Sequence, residues 1–309
     1  MKLLKLVPAN TQIPFLRYAR MAVYASIAAF IGSIILFFAV GLNLGIDFRG
    51  GTLIQIQTQG PANIGELRDQ VGGLGLGDVQ IQEFGAADEV LIRVEQQVGG
   101  EEAQQGAIEK IKEALGSSVT YRRTEVVGPT VSGELARDGT IAVVAAIMAI
   151  LIYIWFRFEW QFAVGAVIAL VHDVGLTIGI FTILQLQFDL STIAALLTIV
   201  GYSLNDTVVV YDRVRENLRK YKRKPIDDLL SQSINDTLSR TVLTSVTTLL
   251  ALFALYIFGG EVIRGFVFAM IWGVLIGTYS SIAIASPVLM YLGVKRDWSE
   301  DAAEEGVPG

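Results

Sequence analysis

Apolar residues fall into long runs along this chain, parted by short polar segments, with a single broad exception. Uncharged apolar runs occupy residues 21–42, 139–156, 241–260 and 265–294. Each is near or above the roughly 18 to 20 residues that a helix needs to cross a bilayer. Two further runs, 162–184 and 190–211, are apolar apart from His172-Asp173 and Asn205-Asp206. The pattern predicts six membrane-spanning helices. The first run follows Lys2, Lys5, Arg17 and Arg20, as in a signal peptide. It exceeds the roughly 7 to 15 apolar residues of a signal core and shows no convincing small-residue cleavage site, so it reads as an uncleaved span.

The exception is residues 43–138, where the period changes. Two-residue alternation marks 52–59, 79–84, 90–95 and 119–127 as strands, while 63–71 and 101–115 have helical spacing. Ile108, Ile111 and Leu115 share one helix face, and Asn63 suits a helix N-cap. The order is βαββαβ, a small α+β domain of ferredoxin-like type in which four antiparallel strands bury one face under two helices. The glycine run Gly72-Gly73-Leu74-Gly75-Leu76-Gly77 follows a helix rather than a strand and lacks nucleotide-binding spacing, so it reads as a loop.

Composition sharpens this picture. Of 309 residues, 52% are apolar and 17% charged, with a mean hydropathy of +0.53; soluble domains are nearer a quarter charged. Cysteine is absent and His172 is the single histidine, which argues against disulfide, thiolate-zinc and haem chemistry and predicts no cofactor. Basic residues stand before span one, at Arg157, at Lys295-Arg296, and most densely at Arg213, Arg215, Arg219, Lys220, Lys222, Arg223 and Lys224. The turn 185–190 has none. The positive-inside rule then places both chain ends and the basic loop 213–240 in the cytoplasm, and 43–138 outside. The expected organisation is a cytoplasmic segment 1–20, span one at 21–42, an external domain 43–138, five spans within 139–292, and a solvated, disordered acidic tail within 293–309. The basic loop from Arg213 to Lys224 resembles a nucleic-acid or lipid patch, but it sits where orientation demands positive charge and reads first as a topology determinant.

An aspartate within a span costs roughly 2.5 to 3.5 kcal/mol on insertion scales, so Asp173 and Asp206 are candidate functional residues. Gly165, Ala169, Asp173 and Thr177 form a small and polar stripe in span three. Ala194, Thr198, Tyr202 and Asp206 repeat it in span four, and span six carries Gly265, Ala269, Gly273, Gly277, Ser281 and Ala285. The small residues by themselves read as packing devices. Span five opens with Arg240, Thr241, Thr244, Ser245, Thr247 and Thr248. Desolvation favours a neutral carboxyl and a guanidinium favours a carboxylate. An aspartate alternately paired with Arg240 and released from it would therefore act as a proton switch, with Asn205, Thr244 and Thr248 as polar support. The competing readings are a static Asp206–Arg240 bridge, a snorkelling Arg240, or a local pair of Arg240 with Asp236 at i, i+4. His172 and Asp173 lie about 100 degrees apart on a helix, so they should not point at one ligand, and His172 reads as an interhelical hydrogen-bonding residue, with assistance to proton movement as the alternative.

Several long motifs carry a resemblance. They are Gly45-Ile46-Asp47-Phe48-Arg49-Gly50-Gly51, Val127-Gly128-Pro129 with Glu134-Leu135, His172-Asp173-Val174, the stretch Ser203 to Arg213, and the stretch Ser233 to Thr241. In that order, over about residues 15–295, the sequence resembles the SecF family. The resemblance implies a resistance-nodulation-division type fold in the bacterial inner membrane with a periplasmic domain between helices one and two. It also implies SecD as a pseudo-symmetric partner, the SecYEG channel and YajC as further partners, and unfolded preproteins as substrates. Asp206 and Arg240 match its proton pathway, with protons as the coupling ion, and Asp47, Gly50 and Gly51 fall in its motif at the periplasmic junction. The alternative is a half-transporter of the same type exporting small molecules or lipids. An intramembrane aspartyl protease built on Asp173 and Asp206 is a further rival, weakened by the absence of a Gly-x-Gly-Asp motif. Gly201-Tyr202-Ser203 is a poor match to a serine nucleophile.

Overall fold

The computed structural model describes residue 8 and residues 11–294; Lys2, Lys5, Lys295, Arg296 and the acidic tail lie outside them. The chain forms α1 (Ala19–Ala39), α2 (Ile46–Arg49), β1 (Gly51–Thr58), α3 (Ile64–Gly72), β2 (Val79–Phe84), β3 (Ala86–Val94), α4 (Gly100–Leu115) and β4 (Val119–Val127). There follow α5 (Pro129–Arg157), α6 (Trp160–Leu184), α7 (Leu190–Lys220), α8 (Ile226–Phe258) and α9 (Arg264–Ser280). One π-helical turn, Ser281–Ala285, joins α9 to α10 (Ser286–Tyr291). Six helical stretches are long and apolar enough to cross a membrane: α1, α5, α6, α7, α8 and the joined α9–α10.

Three of these helices outrun their apolar cores. The basic stretch 213–240, expected as a loop, is the end of α7 and the start of α8, joined at 221–225. Lys, Arg, Glu and Gln are good helix formers. An apolar stripe also continues beyond the uncharged runs, with Val210 and Val214 of α7 packing with Leu229, Leu230 and Ile234 of α8. A search for uncharged runs truncates such helices.

Between α1 and α5 the strands pair in the order β2-β3-β1-β4, all antiparallel. Ile54, Ile56, Val90, Ile92 and Val94 pack on Leu67, Val71, Ile108, Ile111 and Leu115 of α3 and α4. The expected N-cap is present, with Asn63 Oδ1 accepting from the Glu66 amide at 3.3 Å. The glycine run is the turn leading into β2, with Gly75 and Gly77 at positive φ. The other sheet face carries Leu53 and Leu91 with Ile46. It looks across a cavity of about 600 Å³ toward Leu186, Tyr256 and Phe268 at one end of the helical bundle.

Within the bundle α6, α7 and α9–α10 form the centre, and α1, α5 and α8 lie outside it. Only 6% of the most apolar windows of α1 and α5 is buried, against 50% for α6. The outer helices thus present most of their apolar surface to lipid or to a partner. Glycines set the close approaches. A Cβ on Gly273 would collide with Ile199 of α7, and one on Gly277 would lie 2.9 Å from Ser203 Cβ, tighter than side-chain carbon atoms tolerate.

Candidate functional site

The junction between the α+β domain and the bundle is built first by backbone. The Gly45 amide donates to Phe188 O at 2.7 Å and the Phe188 amide to Asn43 O at 2.8 Å, so the segment after α1 is strapped to the α6–α7 turn. Asn43 Nδ2 adds a bond to Gln185 O at 2.9 Å. Asp47 Oδ2 accepts from the Leu190 amide at 3.0 Å, and Asp189 Oδ1 from the Thr192 amide at 2.9 Å. Two carboxylates therefore serve the N-terminus of α7, whose orphan amides and dipole favour negative charge. Arg93 of β3, nearly buried, donates to Asn43 Oδ1 and Leu44 O at 3.0 and 3.1 Å; burial and nearby Arg49 hold its guanidinium below the ordinary arginine range. Gly50 and Gly51 turn the chain into β1 at φ +71° and +108°, and a Cβ on Gly51 would strike Val94 O. That turn requires glycine.

Deeper in the bundle, Asp173 of α6 is fully buried and fully engaged. Its Oδ2 accepts from Ser203 Oγ of α7 at 2.6 Å and Ser280 Oγ of α9 at 2.7 Å. Its Oδ1 meets His172 Nδ1 at 2.9 Å. The neighbours expected to diverge thus meet each other, because one carboxylate oxygen faces the other helices while the other reaches back along its own. His172 Nε2 is buried without a partner among the described residues. The π turn begins directly after Ser280, and at its end Ala285 O accepts from Tyr211 Oη of α7 at 3.0 Å.

Asp206 lies on α7 less than one turn after Ser203. The antiparallel register of α7 and α8 is given by three contacts: Tyr202 Oη to Ser245 Oγ at 3.4 Å, Asn217 Nδ2 to Ser233 Oγ at 2.9 Å, and Arg213 Nε to Asp236 Oδ2 at 2.8 Å. Interpolated between them, Asp206 is level with Thr241 and Val242, within one turn of Arg240. Asp206 is 3% exposed and Thr241 1%, and Asp206 Oδ2 and Thr241 Oγ1 both lack a hydrogen-bond partner among the described residues. Arg240 acts electrostatically on the Asp206 carboxylate, yet no ion pair joins them. Asp236, the local competitor for Arg240, is held by Arg213 and by Asn217 Nδ2 at 3.1 Å. Asn205 is exposed, and Thr244 and Thr248 are half-buried; Thr244 Oγ1 bonds back to Arg240 O at 3.0 Å. No hydrogen bond links Asp173 to Asp206, which leaves the protease reading without a shared proton.

Reading the sequence alone missed the partners of Asp173 and the chain Tyr202–Ser245–Thr278, whose last step is 2.7 Å. Their one visible signal was hydroxyl residues on the small-residue stripes. With this geometry in view, residues 107–295, more than half of the chain, match the family of the protein export membrane protein SecD/SecF, C-terminal. Residues 35–62 match the SecD/SecF GG motif, which here contains Gly50 and Gly51. The protein translocase subunit SecF of Rhodobacter capsulatus is 48% identical over 329 aligned positions, covering 99% of both chains. The chain belongs to the SecF family. SecF is a subunit of the SecDF translocase accessory complex rather than an enzyme. The SecDF subunit of Brucella abortus is 43% identical over 293 residues, covering 94% of this chain and 39% of that one. The crystal structure of SecDF from Thermus thermophilus, a translocon-associated membrane protein, superimposes with a TM-score of 0.84 at 35% identity, over 93% of this chain and 39% of that chain. This SecF chain thus spans about two fifths of the SecDF chains it matches, a relation that suggests pairing with SecD.

Proposed function

We propose that this chain is the SecF half of a SecD–SecF pair that uses the proton-motive force to complete protein translocation across the bacterial inner membrane. The observation that carries the reading is the Asp206 carboxylate, buried with an oxygen unpartnered, within one turn of an Arg240 that forms no ion pair among the described residues. An intramembrane acid left in that state is poised to exchange a proton rather than to stabilise the fold. Arg240 supplies the counter-charge, Asn205, Thr244 and Thr248 a polar surround, and Asp173 with His172 the fixed buried cluster beside it. Basic residues gather at one end of the bundle and the α+β domain sits at the other, so the positive-inside rule supports cytoplasmic termini and a periplasmic domain.

In this mechanism Asp206 takes up a proton from the periplasmic side, the α7–α8 seam rearranges, and the proton leaves toward the cytoplasm. Asp47 and the strap at Gly45–Phe188 join α7 to the periplasmic domain, so a shift of α7 is passed to it. That domain would hold unfolded preprotein emerging from the SecYEG channel, with SecD supplying the pseudo-symmetric half and YajC a further partner. One charge crossing 100 mV releases about 2.3 kcal/mol, enough to shift a two-state equilibrium well over tenfold. Correspondence with a SecF over 99% of both chains supports this reading over a small-molecule half-exporter. Asp206→Asn and Arg240→Met should each assemble with SecD and lose the export stimulation that depends on the proton gradient. Wild-type stimulation in both would defeat the assignment.

A further inference from the structure

At the end of the bundle remote from the α+β domain, α5 stops at Arg157 and α6 starts at Trp160. Trp155, Phe156 and Trp160 around this turn are exposed, an aromatic girdle of the kind that marks headgroup depth in a bilayer. Phe158, between them in sequence, points inward and is buried against Phe162 and Tyr211. Two guanidinium groups converge on its ring, that of Arg157 at 4.9 Å and that of Arg215 of α7 at 5.5 Å from the centroid. They share one carboxylate. Arg157 Nη2 binds Asp212 Oδ1 and Oδ2 at 3.0 and 3.2 Å, and Arg215 Nη1 lies 4.0 Å from Oδ1. Arg219 and Lys220 extend the cluster along the last turn of α7, and neither forms an ion pair among the described residues. The other nearby acid, Glu216, is engaged by Arg213 at 2.7 Å.

An open pocket of about 680 Å³ is lined by these groups, four cations and two carboxylates, Asp212 and Glu216. Basic residues in the last helical turn complement its dipole and help to set orientation, but neither role requires guanidinium groups to be drawn together on one ring. Asp212 compensates one of these charges and Glu216 is taken by Arg213, so the pocket keeps an excess of positive charge that a further anion would complete. Arginine forks are suited to phosphate oxygens, and the site lies at headgroup depth where a phosphate is always at hand. We infer that this pocket binds a phosphate group, delivered by an anionic phospholipid of the adjoining leaflet, with Arg215 and Arg219 as its main ligands and Arg157 held in place by Asp212. The lipid clamps the α5–α6 turn to the end of α7, the helix that also carries Asp206.

The test uses the full chain in nanodiscs of mixed phosphatidylglycerol and phosphatidylcholine, with retained lipid counted by native mass spectrometry after release. Wild-type protein should keep one phosphatidylglycerol. Arg215→Gln/Arg219→Gln should keep at least tenfold less, whereas Lys222→Gln/Arg223→Gln, which removes the same charge from the adjacent connection, should match the wild type. Arg219→Gln alone, at an exposed position, gives an intermediate loss and guards against misfolding of the double variant. Equal loss in the two double variants would overturn the site in favour of diffuse attraction. In pure phosphatidylcholine, inorganic phosphate at millimolar concentration should raise the melting temperature less than phosphatidylglycerol does. An equal rise would make free phosphate the ligand and overturn the lipid source.

Discussion

Asp47 and Leu190 are joined by a 3.0 Å hydrogen bond from the Leu190 amide to the Asp47 carboxylate, although they stand on opposite sides of the α+β domain boundary and 143 residues apart in sequence. Asp47 thus does for α7 what an N-cap does for its own helix, from outside. Asp47→Ala should cost about 1 kcal/mol, the usual scale of a lost cap. Hydrogen exchange should show the first turn of α7 opening faster while α6 is unchanged. Unaltered protection at residues 190–193 would mean that the cap holds nothing.

The buried Asp173 carboxylate has three side-chain partners, His172, Ser203 and Ser280. Replacing it by leucine strands the Ser203 hydroxyl and one His172 nitrogen and leaves the Ser280 hydroxyl only its bond to Gly277 O, and a buried orphan costs about 1 to 3 kcal/mol. Asp173→Leu should therefore lower the unfolding midpoint in detergent far more than Ser280→Ala, which leaves the carboxylate with two partners and should cost about 1 kcal/mol. Similar midpoints for the two variants would contradict a structural role for the cluster.

Close approach of α9 to α7 rests on two glycines. Gly273→Ala places a methyl into Ile199, and overpacking of this kind typically costs about 1 to 3 kcal/mol. Gly201 of α7, around which nothing lies within 4 Å, is the control: Gly201→Ala should be neutral or mildly stabilising, since alanine favours a helix by roughly 1 kcal/mol. Thermal unfolding of the two variants measures the contrast.

The helix count and the βαββαβ order were legible because both follow from the period of apolar positions. Helix ends were not. Charge interrupts an apolar run without interrupting a helix, so α7 and α8 continue where a loop was expected. The stripe through Gly165 and Asp173 marked a tightly packed face of α6 but named no neighbour. In the structure Gly175 and Gly179, off that stripe, meet Phe30 and Ser33 of α1, while Gly165 meets Tyr211. Asp206 and Arg240 could be picked out as unusual residues for a membrane interior. That Asp173 would be satisfied and Asp206 would not depended on Ser203 and Ser280, 30 and 107 residues from Asp173 in sequence, and on a glycine-set helix spacing that no local pattern encodes.

Arg213 has an indirect part in keeping Arg240 available. It is bound to Asp236 and Glu216, and in doing so it occupies the carboxylate that stands one turn before Arg240. Arg213→Gln should release Asp236 to pair with Arg240 at i, i+4. A pair of that kind is worth about 0.3 to 0.5 kcal/mol, so gradient-dependent export should fall about twofold, and adding Asp236→Asn should restore it. A loss that Asp236→Asn fails to rescue would place the effect elsewhere.

The central claim is that Asp206 carries the proton. The direct measurement is proton flux in liposomes containing the SecD–SecF pair under an imposed pH gradient, followed with an internal pH-sensitive dye. Wild-type pairs should dissipate the gradient well above empty liposomes, and Asp206→Asn pairs, reconstituted to the same density, should not. Equal flux from wild type and Asp206→Asn would show that the proton takes a route that does not pass through this residue.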